Sequence, residues 1–208
     1  MSANCQHEAK FDGASRRYKS ALWLVLAING AMFIVEMAAG AISGSMALKA
    51  DALDFLGDTL TYGLSLFAIG MSLRFRAGAA MFKGVSLAVL GLAVLGSSLW
   101  QFFGNNVPDA PTMGWIGFLA LLANMVSVLI LIKFKDGDAN VRSVWLCSRN
   151  DAIGNIAVIG AAGLVALTQS HYPDLIVAVF MSGLFLSSSW QIIKQSSREW
   201  QHTSNHLK

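Results

Sequence analysis

Charge is what this sequence has least of. Asp, Glu, Lys and Arg make up 13% of its 208 residues, about half of the roughly 25% usual in soluble domains. Hydrophobic residues make up 55%, which argues against a water-soluble fold. The few charges nearly balance, 15 Lys and Arg against 12 Asp and Glu for a formal +3, and so leave no footprint for nucleic acid. Cysteine is almost missing. Cys5 in a polar tail and Cys147 in an apolar stretch supply neither a disulfide framework nor zinc-finger spacing. No repeat of solenoid length and no low-complexity segment occurs, and the tail after Ile193 is too short to bury a core of its own. One membrane unit without a soluble domain is expected.

Long apolar runs are abundant. Crossing about 30 Å of hydrocarbon at about 1.5 Å per residue takes roughly 20 mostly apolar residues. Six stretches qualify: Ser20 to Ala41, Met46 to Leu73, Gly84 to Phe103, Gly114 to Ile132, Val144 to Leu167 and Leu175 to Ile193. Residues 1–19 and 194–208 read as short tails on either side of a 20–193 helical unit. The polar start is too long for a signal-peptide n-region and no small-residue cleavage site follows, so the first span is expected to be retained.

Orientation follows from the basic residues, because short positive loops stay cytoplasmic. Lys10, Arg16, Arg17 and Lys19 precede the first span; Arg74, Arg76 and Lys83 lie between the second and third; Lys133, Lys135 and Arg142 between the fourth and fifth; Lys194, Arg198 and Lys208 at the end. Only Lys49 and Arg149 fall inside spans. The expected architecture is an all-α membrane protein of six transmembrane helices with both termini cytoplasmic, in a bacterial inner membrane.

Ionisable groups inside spans cost at least about 2.5 kcal/mol each on insertion scales, so each is a functional candidate. The second span holds Asp51, Asp54 and Asp58, the fifth Cys147 and Asp151, the first Glu36. At 100° per residue the three Asp fall within about 60° of one another, and Cys147 and Asp151 within about 40°. Two such stripes face to face supply Asp54, Asp58, Cys147 and Asp151 as four ligands. Three carboxylates and a thiolate suit a tetrahedral divalent ion, Zn²⁺ first. Asp51 and Asn155, within about a turn on the same stripes, are candidates to hold those ligands by hydrogen bonds. A metal-free proton relay, or a purely structural module, is the alternative on the same stripe. An aspartyl protease dyad fits less well, since only Gly57-Asp58 hints at its signature and the fifth span has no counterpart. Glu36 and Lys49, near the same ends of neighbouring spans, are expected to form an ion pair or share a water.

These residues resemble the cation diffusion facilitator family of six-helix metal exporters. Residues 43–58 read Ser-Gly-Ser-Met-Ala-Leu-Lys-Ala-Asp-Ala-Leu-Asp-Phe-Leu-Gly-Asp, similar to the family's Ser-Gly-Ser-x-Ala-Leu-x-x-Asp-Ala-x-(His/Asp)-x-x-x-Asp. Residues 140–151 read Asn-Val-Arg-Ser-Val-Trp-Leu-Cys-Ser-Arg-Asn-Asp, similar to Asn-x-Arg-(x)4-His-x-x-x-Asp. Glu36 before Gly40, Gly117 and Asn124, and Asp174 with the run Ser189 to Lys194 are softer matches. Cys147 stands where the family mostly has His or Asp. The family's cytoplasmic C-terminal domain is expected to be absent after Lys208.

The resemblance and the ligand chemistry together imply efflux of a divalent transition metal, Zn²⁺ first, with Cd²⁺, Co²⁺ and Fe²⁺ as alternatives. Four ionised ligands would carry about −4 against +2, so protons are expected to exchange for the metal. The metal is cargo rather than cofactor, no enzymatic step is needed, and the bilayer and protons are the other partners. The resembling family is mostly dimeric, and small residues at Ala88, Gly91, Ala93, Gly96 and Ser97, with Ser182, Gly183, Ser187, Ser188 and Ser189, offer faces for a homodimer or for packing within one chain.

Overall fold

A computed structural model describes residues 16–67, 73–132 and 140–205, and for residues 140–150 it describes the backbone alone. The expected tail over 1–15 and the link over 133–139 lie outside the described residues. Among the described residues there are six helices and no strand: α1 (Arg16–Ser43), α2 (Met46–Phe67), α3 (Leu73–Gln101), α4 (Ala110–Ile132), α5 (Asn140–Thr168) and α6 (Tyr172–Asn205).

Five of these, all but α2, are long and apolar enough to cross a membrane. In α2 the same apolar background is interrupted by Lys49, Asp51, Asp54 and Asp58 within 22 residues; its length, about 33 Å at 1.5 Å per residue, still equals a hydrocarbon core. The surface is inverted relative to a soluble protein. Ile42, Trp100, Phe103 and Leu167 are each more than 80% exposed, whereas Asn29, Glu36, Asp51, Asn124, Asn155 and Asp174 are buried.

Two helices begin or end where hydropathy did not place them. α3 starts at Leu73 rather than Gly84, and α6 runs through the expected tail to Asn205. Apolar runs mark only part of a helix, because backbone hydrogen bonding continues through polar residues at its ends; the apolar stretch of α3 itself extends back to Ala77 and that of α6 on to Arg198. One consequence is a correction: Lys83 is not in a loop. It is 7% exposed inside α3 and donates to Thr61 Oγ1 of α2, its apolar stem packed and its ammonium bonded.

The acid-bearing α2 sits at the centre and touches each of the other five helices. From Met46 to Phe55 every residue except Lys49 and Asp54 is buried. Close approach is made by small residues. A Cβ on Gly40 of α1 would meet Ser45 O at 3.1 Å and Lys49 N at 3.2 Å, so α1 can lie on the start of α2 only with glycine there. On the opposite flank α3 packs along α6, where a Cβ on Gly84 would meet Ile193 at 2.9 Å and one on Gly91 would meet Leu186 at 3.0 Å.

Candidate metal site

Helical offsets of three and four residues bring Asp51, Asp54 and Asp58 to one side of α2, and that side faces α1 and α5. The carboxyls of Asp54 and Asp151 lie within hydrogen-bonding reach of each other. Further toward the Ser43–Ser45 turn, Asp51 Oδ1 lies 3.6 Å from where a Gly154 Cβ would be. Moving from Asp54 to Asp51 on α2 thus means moving from Asp151 to Gly154 on α5, so the two helices run antiparallel. By that register Asp58 and Cys147 are both one turn from the Asp54–Asp151 contact, on the side away from the Ser43–Ser45 turn.

Of the four expected ligands the structure therefore brings Asp54 and Asp151 together, with Asp58 on the same side of α2; the Cys147 side chain lies outside the described residues. All three Asp are half-buried. Among the described residues no three of His, Cys, Asp and Glu converge into a ready ion-holding group.

A second layer lies toward the Ser43–Ser45 turn. Glu36 is 0% exposed, Asp51 1% and Asn155 0%. The Glu36 and Asp51 carboxyls are within reach of a shared proton. Between two ionised carboxylates no hydrogen bond can form, and both Glu36 oxygens, Asp51 Oδ2 and both Asn155 amide atoms have no partner. This corrects the expected direct ion pair of Glu36 with Lys49. The stem of Lys49 packs on Gly40, its charge acts on Asp174, and Glu36 faces another acid instead. Lys49 lies about 160° around α2 from Asp51, which puts it out of Glu36's reach.

A family model described as the cation efflux transmembrane domain matches residues 22–199. The chain belongs to the cation efflux family. It is 30% identical over 192 residues to the zinc transporter ZitB of Yersinia pestis, covering 86% of this chain and 61% of that protein. It is 25% identical over 202 residues to the metal cation efflux system protein CzcD of Cupriavidus metallidurans, covering 91% and 63%. To the cadmium, cobalt and zinc/H(+)-K(+) antiporter of Bacillus velezensis it is 26% identical over 206 residues, covering 91% and 64%. The chain thus spans about three fifths of the length of these relatives. Its family and its five candidate spans make it a multi-pass membrane protein whose relatives here are bacterial.

What reading the cation efflux motifs in sequence missed is how α2 is held. Gly44 takes a φ of 76°, which turns the chain sharply out of α1. Ser45 then caps α2, its Oγ accepting from Leu48 N at 3.1 Å. The two preceding orphan donors of α2 are taken by α6: Asp174 accepts from Met46 N at 2.8 Å and Ala47 N at 3.1 Å, and from Ser45 Oγ at 2.6 Å. A helix start normally needs a local cap; here a carboxylate 128 residues away supplies most of it. The same end is tied to α4, since Asp109 N donates to Ser43 O at 3.0 Å. Asp109 in turn caps α4, and hydrogen bonds from the hydroxyl and N–H of Thr112 hold its carboxyl below the usual carboxylate range. Asp174 was visible in sequence only as a soft motif match, because nothing local marks it as another helix's cap.

Proposed function

We propose that this chain exports a divalent transition metal, Zn²⁺ first, from the cytoplasm in exchange for protons. In this reading all six helices cross the membrane, both termini are cytoplasmic, and the Ser43–Ser45 turn faces outside. The observation that carries it is the meeting of Asp54 and Asp151 between two antiparallel helices at the heart of the bundle. Asp58 and Cys147, each one turn toward the cytoplasm, complete a ligand set of three oxygens and one sulfur. Membership of the cation efflux family and the naming of relatives as zinc transporters support the metal. Charge supports the exchange, as does the relative named an antiporter with H⁺: four ionised ligands exceed the charge of the ion, so one or more protons bind as it leaves.

Equilibrium dialysis of the detergent-purified protein against Zn²⁺ tests the reading. The wild type is expected to retain the ion and Asp58→Ala to lose it. Equal retention by the two proteins, or none by the wild type, rejects the site.

Sulfur in the set sets preference among ions. Thiolate favours soft Cd²⁺ and Zn²⁺ while oxygen sites suit Mn²⁺, so Cys147→Asp is expected to lower Cd²⁺ affinity relative to Mn²⁺. A Cd²⁺/Mn²⁺ affinity ratio that does not move shows that sulfur never touches the cargo.

A homodimer within the bilayer belongs to the same reading. The small residues divide: Gly91, Ser182 and Ser189 are turned inward in the α3 and α6 packing, and Ala93, Gly96, Ser97, Gly183, Ser187 and Ser188 face outward. The outward set supports close approach of a second copy.

A further inference from the structure

The buried layer of Glu36, Asp51 and Asn155 is unused by the site just proposed, and its physical state needs an explanation. Two carboxyls at 0% and 1% exposure stand side by side, and three of their four oxygens have no hydrogen-bond partner. Neighbouring charge makes this worse, since Asp54 lies close enough to repel both. Buried ionised groups need pairing or a metal, and buried polar atoms need partners. Lys49 does not supply the counter-charge, being drawn to Asp174.

Asn155 is the independent sign. It stands one turn beyond Asp151 on the side of α5 that meets α2, it is 0% exposed, and neither its carbonyl oxygen nor its NH₂ has a partner. An uncharged amide has no repulsion to escape, so two buried hydrogen-bonding groups left without a protein partner are available to a ligand. Gly154 beside it lets Asp51 and Met181 close on α5: a Cβ there would lie 3.6 Å from Asp51 Oδ1 and only 3.1 Å from Met181 Cε.

The geometry points to a second station for a divalent cation, formed by Glu36 of α1, Asp51 of α2 and the Asn155 carbonyl oxygen of α5, one step toward the Ser43–Ser45 turn from Asp54. This rests on the reading that the chain carries divalent cations, and it reassigns Asp51 and Asn155 from supporting residues to ligands. Two carboxylates and an amide carry −2, matching the ion's charge once the proton within reach of the two acids has left. All donors are oxygen, harder than the sulfur-containing set, so soft ions bind less tightly. Asp51 and Asp54 are three residues apart, about 4.5 Å along the helix. An ion leaving the tighter site therefore meets the weaker station next on its way out.

Ion counting in detergent-purified protein at saturating Zn²⁺ tests this. Wild type is expected to bind two ions per chain, one at least 10-fold weaker. Glu36→Gln keeps the side chain's shape and is expected to lose only the weaker ion; Asp58→Ala is expected to lose only the tighter. Asn155→Ala serves as a second variant, with the same expected loss of the weaker ion should Glu36→Gln fail to fold. A single ion in wild type that does not depend on Glu36 or Asn155, or a weaker ion that survives Glu36→Gln or Asn155→Ala in folded protein, overturns the station. Failure of the tighter site alone, with a Glu36-dependent ion remaining, would overturn the proposed transport site and leave the station standing.

Discussion

Asp54→Ala, Asp58→Ala and Asp151→Ala are each expected to abolish Zn²⁺ flux in proteoliposomes. Loss of a residue that merely supports a metal ligand costs roughly 10- to 100-fold, and loss of a ligand in a four-donor set is expected to exceed that. The same substitutions should not unfold the protein. Asp54 lies against Asp151 and close to Asp51, so removing either member of the Asp54–Asp151 pair relieves like-charge repulsion at a half-buried place. The expected pattern is thus lost flux with melting temperatures in detergent at or above wild type for Asp54→Ala and Asp151→Ala. Wild-type flux in all three variants would show that the acids do not handle the cargo. Lost flux together with lowered melting in every variant would point to a structural role instead.

Asp174→Ala should give the largest loss of stability. It strips an acceptor from Ser45 Oγ, Met46 N and Ala47 N at once, all at a residue only 1% exposed. A buried donor left without a partner costs about 1–3 kcal/mol, and the carboxylate also complements the positive end of the α2 dipole. The total is on the order of 3 kcal/mol or more. Asp174→Asn keeps one acceptor oxygen and is expected to fall between. Because α2 carries Asp51, Asp54 and Asp58, a loosened start shifts all three, so flux should fall with stability. Thermal melting of the solubilised protein checks it: if Asp174→Ala melts with the wild type, the cap from α6 is dispensable.

Hydropathy made the helices legible because lipid rewards continuous apolar length whatever the neighbours do. It failed at their ends, for α3 and α6, because a helix can outlast its apolar run. Asp51, Asp54, Asp58 and Asp151 were visible as charges in apolar surroundings, whereas which of them meet was not. Lys83 was misread because a long stem with a charged tip is compatible with a loop and with a buried bond to Thr61 alike. Glu36 was found as an anomaly, but its neighbour was wrongly expected to be Lys49.

Sequence by itself determined that the chain is helical and apolar outside, and which acids break that pattern on single stripes. Those properties depend on residue type and on the 3.6-residue period alone, which are local. Only the tertiary structure decided that α2 lies at the centre, that Asp54 meets Asp151, that Glu36 meets Asp51 beside an unpartnered Asn155, and that Asp174 caps a helix begun 128 residues earlier. Each of these depends on the relative rotation and height of two helices. Those are set by close contacts such as Gly40 on Ser45 and Gly91 on Leu186, which no periodicity along one helix encodes.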